Sequence, residues 1–266
     1  MNILDHGYLK YIEHWGSDER IIEAARMSTS KGFLGWGPKP CLNCKNLDVT
    51  SSSRDPDYVC QVCKNACLVE GDEKLLRYLW EHKHTTPFEM AGMTIEVQAP
   101  IMVFREWHRH RTQSYNEMSA RYIPLPDVNY VPTVERLMMN SKTNKQAGTI
   151  KGADELTEEM AERFQSALVN MYQSQQTLYE ESLNAGIPKE LARVHLPVGR
   201  YSRMRASANL RNWLAFLTLR MDENAQWEIR QYANAIGNLI ATHFSRTWEL
   251  FCGTLKRANI TTTVSR

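Results

Sequence analysis

The sequence predicts an α/β fold in an α+β arrangement, and two kinds of hydrophobic pattern indicate it. Apolar residues recur at helical spacing over 156–186 and again from about 225 to 252, which predicts two long amphipathic helices. Apolar and polar residues alternate over 93–98 and 203–209, which predicts two strands. We therefore expect long helices packed against a sheet, in a single domain that carries an insertion.

Four shorter helices are predicted from the residues at their ends. Residues 17–28 begin with a Ser cap and an acidic first turn, and residues 72–84 are acidic at the start and basic at the end. Pro100 suits the first turn of a helix over about 100–110, which would place Arg105 and Arg109 on one face. A short helix is predicted over 210–220.

The two long helices each have a predicted apolar stripe, and the stripe of the second needs a partner surface. The first ends at Gly186, with Pro188 beyond it. Its predicted stripe consists of Met160, Phe164, Leu168 and Met171. The stripe of the second consists of Ile229, Tyr232, Ala233, Ile236, Ile240, Phe244, Trp248 and Phe251.

Composition limits the classes of function. Hydrophobic residues make up 42% and charged residues 23%, which is typical of a globular protein. Neither a membrane span nor a secretory signal is present, so we expect a cytoplasmic protein without a membrane partner. The formal net charge is only +2, which makes general binding to nucleic acid unfavourable.

A cysteine-rich segment at 33–71 predicts a zinc-ribbon-like insert within the domain that spans 1–266. Cys41, Cys44, Cys60 and Cys63 form a C-x2-C-x15-C-x2-C pattern, which suits one tetrahedral Zn²⁺. Four reduced cysteines without metal are the alternative, and Cys67 lies near enough to replace one ligand. A site with four thiolates has no open position, so the zinc would be structural. Residues 31–73 hold five Lys or Arg against six Asp or Glu, which argues against nucleic acid as the partner.

The stretch RHRTQSYNEMSARY, residues 109–122, concentrates polar side chains directly after an apolar segment. Arg109 and Arg111 offer planar groups of N–H donors that suit phosphate or carboxylate oxygens. Ser114, Asn116 and Glu117 would add donors and acceptors from a loop. Residue types and spacing leave two interpretations open, an anion site or a solvated helix end with weak surface ion pairs.

The same stretch resembles the flavin-dependent thymidylate synthase family. Arg109, His110 and Arg111, followed by seven residues and Ser119, match the R-H-R-x7-S motif of that family. Further segments resemble the family in the same order along the chain, namely HTTPFE, APIMVFREWHRHR, SYNEMSARY, IPKELARVHLP, NLRNWLAFLTLR and AQWEIRQYA. The cysteine-rich insert is unusual for the family.

The resemblance implies long helices on a mixed sheet, and a homotetramer whose active sites are shared between subunits. It implies bound FAD that is reduced by NADPH, and 5,10-methylenetetrahydrofolate as the donor of the carbon that converts dUMP to dTMP. The protein would bind and orient these molecules, while the flavin carries the redox step.

Site residues follow from the resemblance, position by position. Arg220 is expected to face the pyrimidine ring as the principal catalytic residue, with Ser119 and His84 as further catalytic residues. The expected flavin contacts are Ser28, Thr86, Glu89, Arg109, His110, Arg111, Thr112, Glu117, Asn209, Leu210 and Arg211. The expected dUMP contacts are Glu106, Arg109, Glu117, Met118, Ser119, Ala120, Arg121, Arg193 and Arg220. Ser28, His84 and Glu89 also have simple structural interpretations, as a helix-end hydroxyl, a helix-end hydrogen bond and an ion-pair partner.

Four positions depart from the family pattern. Glu106 stands where Gln is usual, Ala120 where Gly is common, Ala215 where Asn is expected and Asn224 where His is expected. We predict methylation of dUMP. The departures leave open a related flavin enzyme with another pyrimidine substrate or a hydroxymethyl product, and the cysteine spacing leaves open a zinc-ribbon protein that binds nucleic acid.

Overall fold

The computed structural model describes residues 1–36, 72–141, 144, 146–151, 153 and 155–257. Cys41, Cys44, Cys60, Cys63 and Cys67 lie outside the described residues, and with them the predicted zinc site.

Five strands and nine α-helices make up the described part of the chain. The strands are β1 Asn2–Ile3, β2 Gly7–Trp15, β3 Gly92–Pro100, β4 Ser114–Glu117 and β5 Tyr201–Asn209. The helices are α1 Asp18–Arg26, α2 Asp72–Glu81, α3 Ile101–Trp107, α4 Val134–Met138, α5 Glu158–Asn184, α6 Lys189–Ala192, α7 Leu210–Arg220, α8 Trp227–His243 and α9 Ser245–Arg257. Two 3-10 turns, Met27–Thr29 and Thr86–Met90, follow α1 and α2.

The strands form one sheet in the order β1-β2-β3-β5-β4. Every pair of neighbouring strands in it is antiparallel. The α/β prediction is confirmed, but the mixed sheet was wrong. The chain does return from β3 through α3 to β4 in the same direction, but β5 lies between these two strands and runs opposite to both.

The core lies between one face of this sheet and the helices. Met93, Ile95 and Val97 of β3 are fully buried, whereas Arg203 and Arg205 of β5 are exposed on the other face. Trp213 of α7 is buried against the sheet, and its indole N–H donates to the Met93 carbonyl at 2.9 Å. The alternation in the sequence thus separates an apolar inner face from a polar outer one.

The N-terminal hairpin of β1 and β2 was not predicted. Gly7 is needed there because a Cβ atom at this position would lie 2.0 Å from the Tyr232 hydroxyl. That hydroxyl donates to the Gln98 carbonyl at 2.8 Å, so it joins α8 to β3 next to the hairpin. The sequence signal was weak because β2 is buried mainly at its first residues.

The predicted helix over 225–252 is wrong in one respect, since it is two helices that meet at Phe244. Phe244 has φ −135 and ψ 55, which interrupts the helix, and its ring is fully buried. The carboxylate of Asp18 in α1 accepts the amide of Arg246 at 2.9 Å and the hydroxyl of Thr247 at 2.6 Å. This contact from a distant part of the chain caps the start of α9.

The predicted apolar stripe of α5 is largely exposed. Met160, Phe164 and Met171 are 39%, 50% and 44% exposed. The buried face instead carries Ala161, Tyr172 and Tyr179, which are more polar or smaller than the predicted stripe. Periodicity identified the helix and its apolar stripe correctly. It does not show whether that stripe packs within the same chain or stays exposed on its surface.

The first residues of the predicted insert, 34–36, meet residue 72, which follows the insert, at a short neck. The Asp72 amide donates to the Gly35 carbonyl at 3.1 Å, and the Asp72 carboxylate accepts the amides of Leu34 at 2.6 Å and Gly35 at 3.1 Å. The same carboxylate is fully buried and accepts Nε of Arg26 at 2.8 Å. A single acidic side chain therefore ties α1, the neck and α2 together.

Candidate active site

The R-H-R motif lies in a turn that joins α3 to β4, and contacts with buried side chains hold this turn in position. The Trp107 ring is fully buried and packs on Phe216 at a centroid distance of 4.8 Å. The Trp107 indole donates to Gln113 at 3.0 Å, and the Tyr115 hydroxyl donates to the carbonyls of His110 at 2.8 Å and Trp107 at 3.2 Å. Burial raises the pKa of Tyr115, so this hydroxyl stays protonated and remains a donor.

Part of the predicted loop is a strand. Residues 114–117 form β4, which pairs with β5 over Ser114 to Glu117. Short polar side chains on an edge strand give little hydrophobic signal, and this explains why the sequence pattern suggested a loop.

Arg220, at the C-terminal end of α7, is held by the residues around the motif. Its Nε donates to Nε2 of His110 at 2.8 Å, its Nη1 to the Glu106 carboxylate at 2.9 Å, and its Nη2 to the Glu106 carbonyl at 2.9 Å. The side chain of Arg220 is 15% exposed and that of Glu106 is 47% exposed. The structure thus brings together three of the predicted site residues.

His110 is neutral in this arrangement. Burial, followed by the nearby charge of Arg220, lowers the pKa of His110 to about 4. A neutral ring with an unprotonated Nε2 is what the Arg220 donor requires. The His110 ring also packs edge-to-face on Phe216 at 4.8 Å, so it cannot easily turn away. At neutral pH the guanidinium therefore has a stable acceptor on this side.

Arg220 and Glu106 line an open cleft of about 760 Å³, together with Arg105, His108 and Arg109. Arg105 and Arg109 are exposed, and neither makes an ion pair with any described residue, which also holds for Arg111. The cleft therefore presents cationic groups that are available to an anion. His108 and Arg105 were not among the predicted site residues, although both lie within the segment that carried the resemblance.

Two other predicted dUMP contacts, Arg121 and Arg193, meet at Glu190. Arg121 lies 3.4 Å from the Glu190 carboxylate, and Nε of Arg193 donates to the Glu190 carbonyl at 3.5 Å. Ser119 begins the turn that carries Arg121, and its hydroxyl accepts the Arg121 amide at 3.3 Å. The lining of the cleft includes none of these residues.

The remaining predicted dUMP ligands are Glu117, Met118 and Ala120, which lie between Arg109 and Arg121 in the sequence. Glu117 ends β4 opposite Met204, and the Met118 amide donates to the Arg203 carbonyl at 2.8 Å. Ala120 is 2% exposed, so its side chain is packed in the protein.

Several predicted flavin contacts group near the start of α7. Glu89 and Arg211 form an ion pair, and the Thr112 carbonyl accepts the side-chain amide of Asn212 at 3.2 Å. Asn209 caps α7 by accepting the Asn212 amide at 3.0 Å. Leu210 is fully buried and its amide donates to the Ala91 carbonyl at 2.7 Å, so its side chain has a structural role.

Three further predicted residues lie on short turns at the surface. The Ser28 hydroxyl donates to the Ala25 carbonyl at 3.3 Å, and Thr86 begins the 3-10 turn before β3. The His84 amide donates to the Leu79 carbonyl at 2.8 Å, while its exposed ring packs against Tyr78.

A second, apolar pocket of about 660 Å³ lies on the other side of α7. Trp80, Phe88, Leu214 and Phe251 form its apolar wall. Ala215, one of the four departures from the family pattern, opens onto it together with Arg211 and Lys83. Another departure, Asn224, bonds locally to Asp222 at 2.9 Å.

Two classes of feature are not found in the described residues. No cluster of three or more His, Cys, Asp or Glu there has an arrangement suited to a metal ion. In the same part of the chain, no helix combines the length and apolar character needed to cross a membrane.

Comparison with known proteins gives consistent matches along the chain. Residues 10–244 match the family described as "Thymidylate synthase complementing protein". The flavin-dependent thymidylate synthase of Thermosipho africanus is 34% identical over 249 residues, which cover 94% of this chain and 92% of that protein. The enzyme of the same description from Thermus thermophilus is also 34% identical, over 94% of this chain and 77% of its own length.

Solved structures show the same fold with a nucleotide bound. The UMP/dUMP methylase PolB from Streptomyces cacaoi, bound with 5-Br dUMP, has a TM-score of 0.70 and 26% sequence identity, over 95% of this chain and 97% of that one. The family match, the sequence relatives and the shared fold cover nearly the whole chain, and they agree with the R-H-R motif at the cleft. The chain belongs to the flavin-dependent thymidylate synthase family.

Proposed function

We propose that this chain methylates dUMP to dTMP, with FAD as its cofactor, 5,10-methylenetetrahydrofolate as carbon donor and NADPH as reductant. The observation that carries the proposal is the Arg220 guanidinium, fixed at the cleft by Glu106 and His110. N–H donors in this position would stabilise negative charge on the pyrimidine ring, and so make its C5 carbon a better nucleophile. The similar methylase that was solved with 5-Br dUMP supports a pyrimidine nucleotide as the ligand.

The residues around the motif fit a flavin nucleotide. FAD carries a diphosphate, and Arg109 and Arg111 offer exposed guanidinium groups that pair with no described residue. Neutral His110 can contact an aromatic ring without adding a charge. Bound FAD would supply the hydride that completes the methyl group, while the chain binds the reactants and orients them.

The phosphate of dUMP has a candidate site where Arg121 and Arg193 meet Glu190. Arg121 lies near the Glu190 carboxylate and Arg193 near the Glu190 carbonyl, so both guanidinium groups contact the same residue. Breaking the exposed ion pair of Arg121 and Glu190 costs little free energy, since surface ion pairs contribute about 0 to 1 kcal/mol. An incoming phosphate would then compete successfully with Glu190.

We further propose a homotetramer with shared active sites. The exposed apolar stripe of α5, which includes Met160, Phe164 and Met171, is typical of a surface that another subunit covers. Active sites shared between subunits would also explain why Arg121 and Arg193 do not line the cleft that holds Arg220. Light scattering should give the mass of four chains, and a monomer at micromolar concentration would contradict this assembly.

Structural zinc in the insert stays a prediction, because its four cysteines lie outside the described residues. The C-x2-C-x15-C-x2-C spacing supports it, and thiolates at this spacing bind zinc tightly enough to fold a segment with little core of its own. Metal analysis of protein prepared without chelator should find about one zinc per chain. Protein without zinc would exclude the site.

The proposed reaction is tested with the full chain, dUMP, methylenetetrahydrofolate and NADPH. We expect dTMP by mass spectrometry, and a protein that is yellow after purification or takes up added FAD. The control omits NADPH and should give no dTMP beyond one turnover of any reduced flavin. A protein that binds neither FAD nor dUMP would contradict the proposal.

A further inference from the structure

The contacts of Arg220 leave part of its guanidinium facing the cleft. A guanidinium has five N–H donors. His110 accepts from Nε, the Glu106 carboxylate from Nη1 and the Glu106 carbonyl from Nη2. Two N–H groups, one on each terminal nitrogen, therefore remain for a ligand.

Glu106 adds an acceptor beside these donors. Its Oε2 accepts from Arg220, while Oε1 has no hydrogen-bond partner among the residues that the structure describes. About half of the Glu106 side chain is exposed, and Glu106 is the acidic member of a lining that is otherwise cationic or aromatic. Because Nη1 donates to the Glu106 carboxylate, the acceptor adjoins the Nη1 end of the two donors, and a ligand edge that pairs with all three groups would meet them in the order acceptor, donor, donor.

This order distinguishes the two common pyrimidines. Cytosine presents an amino group, then the ring N3 and then the O2 carbonyl, which is donor, acceptor, acceptor, so that each group meets a partner. Uracil presents a carbonyl, N3–H and a second carbonyl. Its N3–H can meet Glu106, but one carbonyl then has no donor and lies close to the carboxylate. Carboxylates accept from the cytosine amino group in other nucleic-acid sites for the same reason.

We propose that Glu106 is a specificity-determining residue, which makes the cleft accept a cytosine nucleotide such as dCMP. The inference rests on the proposed function, in which Arg220 faces the pyrimidine ring. Methylation of dCMP would follow the same balance as that of dUMP. The C5–H bond breaks with loss of its proton, and a C–C bond forms to the one-carbon unit of methylenetetrahydrofolate. Both C–N bonds that hold this unit to the folate break, the two nitrogens take up protons and tetrahydrofolate leaves, and a hydride originating from NADPH completes the methyl group.

The test is a competition between dUMP and dCMP for the wild-type protein and for Glu106→Gln, with both products measured by mass spectrometry. Wild type should form 5-methyl-dCMP as well as dTMP. In Glu106→Gln the ratio of kcat/KM for dCMP to that for dUMP should fall roughly tenfold to a hundredfold, because the amide adds two donors and loses the charge. Glu23→Gln is the matched control, since Glu23 also accepts from an arginine but on α1, outside the lining of the cleft, and it should leave this ratio unchanged.

A binding measurement makes the test independent of how the variant behaves. In calorimetry, dCMP should bind the wild-type protein and displace dUMP. Formation of dTMP without 5-methyl-dCMP and without dCMP binding would overturn the inference and leave the proposed function intact. An unchanged substrate ratio in a folded Glu106→Gln variant would also overturn it. Loss of activity towards both nucleotides in the wild type would refute the proposed function, and this inference with it.

Discussion

Replacing Arg220 by Ala is expected to lower kcat for dTMP formation by about a hundredfold to a thousandfold, the usual effect of removing one preorganised donor from a site of developing charge. KM for dUMP should change less, because the contact strengthens as negative charge develops on the ring. Arg220→Lys should recover only part of the rate, since a lysine keeps the charge but loses the planar set of donors that His110 and Glu106 orient.

Rate and flavin content must be measured together for this variant. The Glu106 side chain is half exposed, so water can solvate it once Arg220 is removed, and we expect the fold and the flavin absorbance to be retained. Arg20→Ala is the control, because Arg20 is an exposed residue of α1 with a surface ion pair, and it should leave kcat unchanged. A kcat within threefold of wild type for Arg220→Ala would exclude Arg220 from catalysis.

The pH dependence of the wild type provides a second check on the same contact. The pKa of His110 is lowered to about 4, so its ring stays neutral throughout the range in which an ordinary histidine becomes charged. Between its ordinary pKa and about 4 the unfolded chain binds this proton while the folded chain does not, and stability attributable to His110 is therefore lost as the pH falls through that range. The hydrogen bond from Arg220 to His110 should persist down to about pH 4.

Replacing Asp72 by Ala is expected to lower the free energy of unfolding by about 3 to 5 kcal/mol, as for other buried ion pairs that lose one partner. The carboxylate is fully buried, and its removal leaves the Arg26 guanidinium and the amides of Leu34 and Gly35 without their acceptor. Thermal unfolding should show a fall in Tm of roughly 10 °C for a chain of this size.

Glu23→Ala is the matched control for Asp72→Ala. Glu23 also accepts from an arginine of α1, but the side chains of that pair, Arg20 and Glu23, are 68% and 35% exposed. Its loss should change the free energy of unfolding by no more than about 1 kcal/mol. Equal effects of the two substitutions would show that the neck contributes little to stability.

The sequence was sufficient for elements whose pattern reflects local packing. The alternation of Met93, Ile95 and Val97 predicted β3, and the helices over 17–28 and 210–220 lie within a few residues of α1 and α7. The sequence was insufficient where a contact between distant parts of the chain determines where a helix begins or ends. The break at Phe244 depends on Asp18, which caps α9 from more than two hundred positions away in the chain.

The candidate site shows the same division. Resemblance to the family named Glu106 and His110 from one segment and Arg220 from another. Their mutual hydrogen bonds join residues more than a hundred positions apart, and no spacing rule relates them. The neutral state of His110 could not be predicted either, because it results from burial and from the charge of Arg220 in the folded chain.

The neck at Gly35 and Asp72 also affects how this gene can change. Hydrogen bonds hold the two flanking residues together, and the cost of closing the loop between them rises slowly with its length. Coding sequence can therefore be gained or lost at this point during evolution with little penalty to the remaining fold. The same position is suited to splicing in a reporter domain, since no residue of the neck lines the catalytic cleft.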